Sequence, residues 1–152
     1  MRLTQYTDFA LRMLMLLALE PDEIHTVEEV ARRYEISRHH LTKVAQRLVQ
    51  TGFVCGLRGR GGGLRLALLP QEINLGAVVR ATEDNFALVE CFDKGRNQCV
   101  VTAACSLRGP LEDALHAFLR ELDKQTLADL LKSPGTNHRM RRLLAEKTPA
   151  AV

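Results

Sequence analysis

No apolar run in this chain of 152 residues is long enough to cross a membrane. The longest, Met13 to Leu19, could pass for the core of a secretion signal, but Asp8 and Arg12 interrupt the approach to it. Glu20, Pro21, Asp22 and Glu23 follow it where a small-residue cleavage site should stand. The expected location is therefore the cytoplasm, with no membrane partner. The sequence has no internal repeat and no low-complexity tract. It lacks the Lys-Ser/Thr ending of a phosphate-binding loop and any dinucleotide-binding glycine spacing. No nucleophile–base set and no paired carboxylates converge on a recognisable site, so an enzyme is not expected. Four cysteines in a reducing compartment argue against a disulfide framework, as does their lopsided spacing.

Hydrophobic residues make up 46% and charged residues 26%, the balance of a soluble globular protein. The net charge of +3 is unevenly spread. Residues 68–152 hold eleven basic and eleven acidic side chains, whereas residues 32–65 hold eight basic ones and a single acid, Glu35. Such a local positive patch suits a phosphate-facing surface, although a charge run can also be a solvated face.

Helical spacing runs through residues 3–20, with Leu3, Ala10, Met13, Leu14, Leu17 and Ala18 on the apolar face. Thr26 followed by Glu29 is a capping-box pattern and starts a helix that reaches about Tyr34. Ser37 is a suitable N-cap for the next helix, over 38–51, and Gly52 for its end. Two short helices around a tight turn predict a helix-turn-helix, with Ala31 at the crossing, Ile36 in the turn, and Leu41 and Val44 facing inward. Glu35 stands where a turn glycine is usual. Phe53–Leu57 and Leu64–Leu68 read as strands joined by a loop of Arg58, Gly59, Arg60, Gly61, Gly62 and Gly63. Glycines let that tip approach phosphate closely, and the arginines add charge-assisted contacts.

The expected architecture is mainly α with a small β wing. A winged helix-turn-helix occupies 1–69, a linker helix and cysteine loop 70–106, a long dimerisation helix 107–132, and a flexible tail 133–152. The long helix opens at Pro110 and carries Leu111, Ala114, Leu115, Phe118, Leu122, Leu127, Leu130 and Leu131 as its stripe, a face for a second subunit.

Cys91, Cys99 and Cys105 fall in one polar segment, with intervals of seven and five residues. Neither interval suits a zinc knuckle or ribbon. Three clustered thiolates can hold an iron–sulfur cluster with a fourth donor from elsewhere. Cys55, on a wing strand, is expected to be a small buried hydrophobe. None of His25, His39, His40, His116 or His138 is near the segment in sequence. Asp8, read alone, is a first-turn helix charge.

The stretches LTQYTDFALRML, SRHHLTKVAQRL, RGRGGGLRL and ELDKQTLADLL, with the three cysteines, resemble the winged-helix iron–sulfur transcription regulators. The likeness runs from Met1 to about Leu131 and is greatest to the nitric-oxide-sensing repressors of that family. It implies a cytoplasmic homodimer on a palindromic double-stranded DNA operator, releasing nitrosative-stress genes when nitric oxide reaches the cluster. It also implies a 4Fe–4S cluster held by Cys91, Cys99, Cys105 and, from the partner subunit, Asp8. Family members that use a histidine three residues past the last cysteine differ from this chain, which has Arg108 there. The unequal cysteine intervals leave a 2Fe–2S cluster open. On this reading Ser37, Arg38, His39, His40 and Lys43 lie near base edges at the start of the reading helix. Arg58 and Arg60 serve the wing, and Arg33, Arg47 and Arg65 touch phosphate. Two alternatives stand beside it: a repressor governed by zinc or thiol chemistry, or by redox or iron–sulfur status, and an iron–sulfur carrier without DNA affinity.

Overall fold

The structure, a computed structural model, describes residues 2–59, 61–93 and 95–146. Helix α1 (Gln5–Leu19) is its axis. Thr4 caps it, accepting from the Thr7 amide at 3.3 Å. Leu16 and Leu19 are buried along with the expected Ala10, Met13, Leu14 and Leu17, so the helix is apolar on nearly every side of its second half. Among the described residues no helix is long and apolar enough to cross a membrane.

Helix α2 (Val27–Tyr34) begins where the Thr26 hydroxyl accepts from the Glu29 amide at 3.1 Å. It ends on Glu35, whose φ of 55° is left-handed. A non-glycine residue there costs roughly 1–2 kcal/mol. The Ile36 amide bonds the Ala31 carbonyl at 2.9 Å and closes the turn. Helix α3 (Arg38–Gln50) follows. Ser37 occupies the N-cap position but makes no side-chain capping bond, contrary to expectation. Gly52 ends the segment with φ 78°.

Strands β1 (Val54–Leu57) and β2 (Gly63–Leu66) form the antiparallel wing, Val54 opposite Leu66 and Leu57 opposite Gly63. A Cβ on Gly62 would lie 2.3 Å from the Leu57 carbonyl oxygen, so the tip tolerates only glycine at that point without a backbone shift. The wing is pinned to the helical body by His25, whose backbone pairs with Leu64 in both directions, at 3.2 and 2.8 Å. Cys55 is half-buried and its Sγ accepts from Arg65 Nε at 3.4 Å, so it is not the sealed hydrophobe expected.

Helix α4 (Leu75–Thr82) leads into the cysteine segment, whose described residues are irregular apart from single turns at Glu90–Phe92 and Thr102–Ala104. Helix α5 (Arg108–Asp123) keeps Pro110 in its first turn but stops short of the expected Leu131. Side-chain bonding breaks it. The Asp129 carboxylate accepts from the Thr126 amide (2.6 Å) and hydroxyl (2.8 Å), and Thr126 bridges to Asn74. Leu127 then turns fully inward to the main core. The inner face of α5 is also covered within the chain, since Leu115 and Leu119 pack on Val79 of α4 with Phe86, Leu88 and Phe92 around them.

The tail differs from expectation too. Residues Pro134–Ala145 form helix α6, with Pro134 in the first turn and Ser133 accepting from the Thr136 amide at 3.4 Å. Leu144 and Met140 join the main core. Arg141 Nε donates to the Leu19 carbonyl at 3.0 Å, and Arg141 Nη2 reaches the same oxygen. This satisfies the orphan end of α1, over a separation of 122 residues. Residues 147–152 lie outside the described residues.

Candidate nucleic-acid interface and cysteine loop

Ser37, Arg38, His39, His40 and Lys43 are all exposed at the start of α3. The His40 ring stacks on Phe9 of α1 (6.4 Å, 24°), and His39 is tilted against His40 at 6.1 Å. The Tyr6 hydroxyl donates to the Lys43 carbonyl at 2.9 Å, which fixes α3 on α1. Burial raises the Tyr6 hydroxyl above its usual pKa of 10.0. Arg38 Nε lies 3.0 Å from Glu28, both side chains largely in solvent, a pairing weak enough to exchange for phosphate. Arg58 and Arg65 are exposed on the wing, and Arg60 lies outside the described residues.

Arg33 is a correction. It is 7% exposed and grips Glu20 with two parallel bonds, 2.6 Å to Oε2 and 2.7 Å to Oε1. It cannot reach phosphate without abandoning a buried carboxylate. Arg47 is exposed, but its Nε donates to the Ala81 carbonyl at 2.7 Å. That bond joins the reading helix to the end of α4.

Cys91 sits in the turn at residues 90–92, Cys99 in irregular backbone, and Cys105 at the end of the turn at 102–104. All three are half-buried free thiols. Their loop is shaped by groups that the spacing of cysteines does not reveal. The Asn97 side chain accepts from the Cys99 amide (3.1 Å), Thr102 donates to the Cys99 carbonyl (2.7 Å), and Glu90 accepts from the Gln98 amide. Within the single chain, no three of Asp8, Cys91, Cys99 and Cys105 bring ligand atoms within 4.8 Å of one another. Asp8 lies in the first turn of α1, paired with Arg12 at 2.6 Å and half-exposed. The donor set suits a group larger than one ion: three free thiols on one loop, of the ligand type that iron–sulfur clusters take. Arg108, three residues on, has no ligating atom.

The start of the loop is bonded to the cap and first turn of α1. Glu83 ends α4 and opens the loop, and its Oε1 accepts from the Thr4 amide (2.8 Å) and hydroxyl (3.0 Å) at the cap of α1. Thr82, just before it, bonds Thr7 of α1 at 2.9 Å in a buried contact.

Residues 3–133 match the model of the Rrf2 family, described as iron-dependent transcriptional regulators. The chain is 52% identical over 134 residues to the HTH-type transcriptional regulator NsrR of Bacillus subtilis, covering 88% of this chain and 92% of that protein. It is 49% identical over 148 residues to the NsrR of Geobacillus kaustophilus, covering 97% and 99%. The solved structure of T. potens IscR shares the fold, with TM-score 0.70 at 22% identity, over 87% of each chain. With its helix-turn-helix head and small wing, the chain is a transcription regulator rather than an enzyme, and it belongs to the Rrf2 family.

Proposed function

We propose that this regulator is an iron–sulfur-dependent repressor, a homodimer on a palindromic operator, whose signal is nitric oxide. Cys91, Cys99 and Cys105 would hold a cluster, of the 4Fe–4S type, with the partner subunit's Asp8 as the oxygen donor. When bound, the cluster supplies iron at which nitric oxide can react. Asp8 must first leave Arg12, and a half-exposed ion pair of that kind is worth little.

The observation that carries the reading is the joint at residues 81–83. Arg47 of the reading helix, Thr4 and Thr7 of α1, and the first residue of the cysteine loop all bond there. A change in how the loop is held is thereby felt by the helix that bears Asp8 and by the helix that would read DNA. In this scheme Arg38 and Lys43 face the major groove, Ser37, His39 and His40 lie beside them, and Arg47 keeps two guanidinium nitrogens for phosphate. Arg58, Arg60 and Arg65 carry the wing contact. A twofold dimer matches a palindrome because each half-site meets the same helix.

The test is anaerobic purification, visible absorption, and stepwise addition of nitric oxide while operator binding is followed. A coloured protein that bleaches and releases DNA together, with Cys91→Ala colourless, is expected. A chain that stays colourless after reconstitution with iron and sulfide would overturn the cluster.

A further inference from the structure

The corner between α1 and α2 holds a group of side chains that neither the interface nor the cysteine loop uses. One ligand atom each from Glu20, Glu23 and His25 lies within 4.8 Å of the other two. His25 is fully buried, and neither ring nitrogen makes a hydrogen bond. Its Nε2 is 3.3 Å from a Glu20 oxygen and its Nδ1 is 3.4 Å from a Glu29 oxygen, but neither contact has hydrogen-bond direction. Buried polar groups are almost always partnered, so an orphaned imidazole facing carboxylates points to a missing ligand.

Imidazole nitrogen with two carboxylates is the donor set of a divalent metal ion of borderline softness. Arg33 does not block it. The guanidinium takes one lone pair from each Glu20 oxygen, and a carboxylate oxygen has two. Glu23 is exposed and gives an ion a path from solvent. We infer that this corner binds one divalent transition-metal ion, Zn²⁺ or Fe²⁺ in class, through Glu20, Glu23 and a ring nitrogen of His25, with water completing the shell. The site is independent of the cysteine loop. Because the backbone of His25 also pairs with Leu64, an ion there stiffens the joint between the wing and the helical body.

The test uses the full-length chain with Cys55, Cys91, Cys99 and Cys105 all changed to serine, so that no thiol can contribute. Co²⁺ is titrated and its visible d–d absorption followed, then displaced with Zn²⁺. Uptake of one equivalent without thiolate charge-transfer bands is expected. Glu23→Gln, at an exposed position that leaves folding intact, should weaken binding at least about tenfold, since even an outer-sphere partner costs that much. His25→Gln should weaken it further, with circular dichroism confirming that the variant is folded. No Co²⁺ uptake by the thiol-free chain, or unchanged affinity in either folded variant, would overturn the site.

Discussion

Replacing Arg33 with alanine separates two roles that one arginine cannot hold together. If Arg33 touched phosphate, its loss would lower the salt slope of operator binding by about one and leave the fold alone. The structure has it buried against Glu20, with the carboxylate side chain only 11% exposed. Removing one member of a buried pair typically costs about 3–5 kcal/mol, and the residual water access to Glu20 places this pair near about 3. At about 2–4 °C per kcal/mol for a chain of this size, the melting temperature should fall by roughly 6–12 °C. The salt slope should stay as it is. Burial alone would raise the Glu20 carboxyl, but the Arg33 hydrogen bond and charge are the leading opposing causes, and the group is held below its usual 4.5. An acid depressed on folding stabilises above its unfolded value and loses that contribution as pH falls through the folded one. The gap in melting temperature between native chain and variant should therefore shrink below pH 4.5. Adding Glu20→Gln to Arg33→Ala should recover part of the loss, because no unpaired charge remains. A variant that melts with the native chain and loses a unit of salt slope would refute the reasoning.

Arg38→Ala should weaken operator binding by about 1–3 kcal/mol if the guanidinium reads a base edge, and binding unchanged at every salt concentration would remove it from the interface. Glu83→Ala should leave the iron content alone while narrowing the difference in operator affinity between cluster-loaded and cluster-free protein; an unchanged difference would show that the joint at 81–83 is not the route. Gly62→Ala should cost about 1–3 kcal/mol, the range for overpacking, because its Cβ meets the Leu57 carbonyl at 2.3 Å, and a melting temperature equal to that of the native chain would contradict this contact.

What could be read from the sequence was what is decided locally. Thr26 and Glu29 announce the start of α2 because capping is settled within one turn. The glycines of the wing and the three cysteines of the loop announce themselves by residue type. Arg33 could not be placed, because its partner Glu20 lies 13 residues back and a basic residue in a basic stretch looks like its neighbours. The end of α5 was missed for a related reason. Leu127 and Leu130 keep helical spacing beyond Asp123, whereas Thr126 and Asp129 bond locally and break the helix. Helix α6 was hidden by a polar, basic composition with few apolar anchors, of which Leu144 and Met140 suffice once the core is there to receive them. The frame of Asn97, Thr102 and Glu90 around the cysteines is made of ordinary loop residues, and spacing does not distinguish them.

Helix α6 also sets the order in which the molecule can be finished. The Leu19 carbonyl is made early and waits for Arg141, 122 residues later. At a synthesis rate of roughly 5–20 residues per second that wait is about 6–24 s. Throughout it, the end of the central helix lacks its acceptor's partner and the core lacks Leu127 and Leu144. The head that reads DNA, although encoded first, is thus completed only after the cysteine loop has emerged. A nascent chain therefore carries the cysteine loop before Leu127, Arg141 and Leu144 are there to complete the core beneath the reading head.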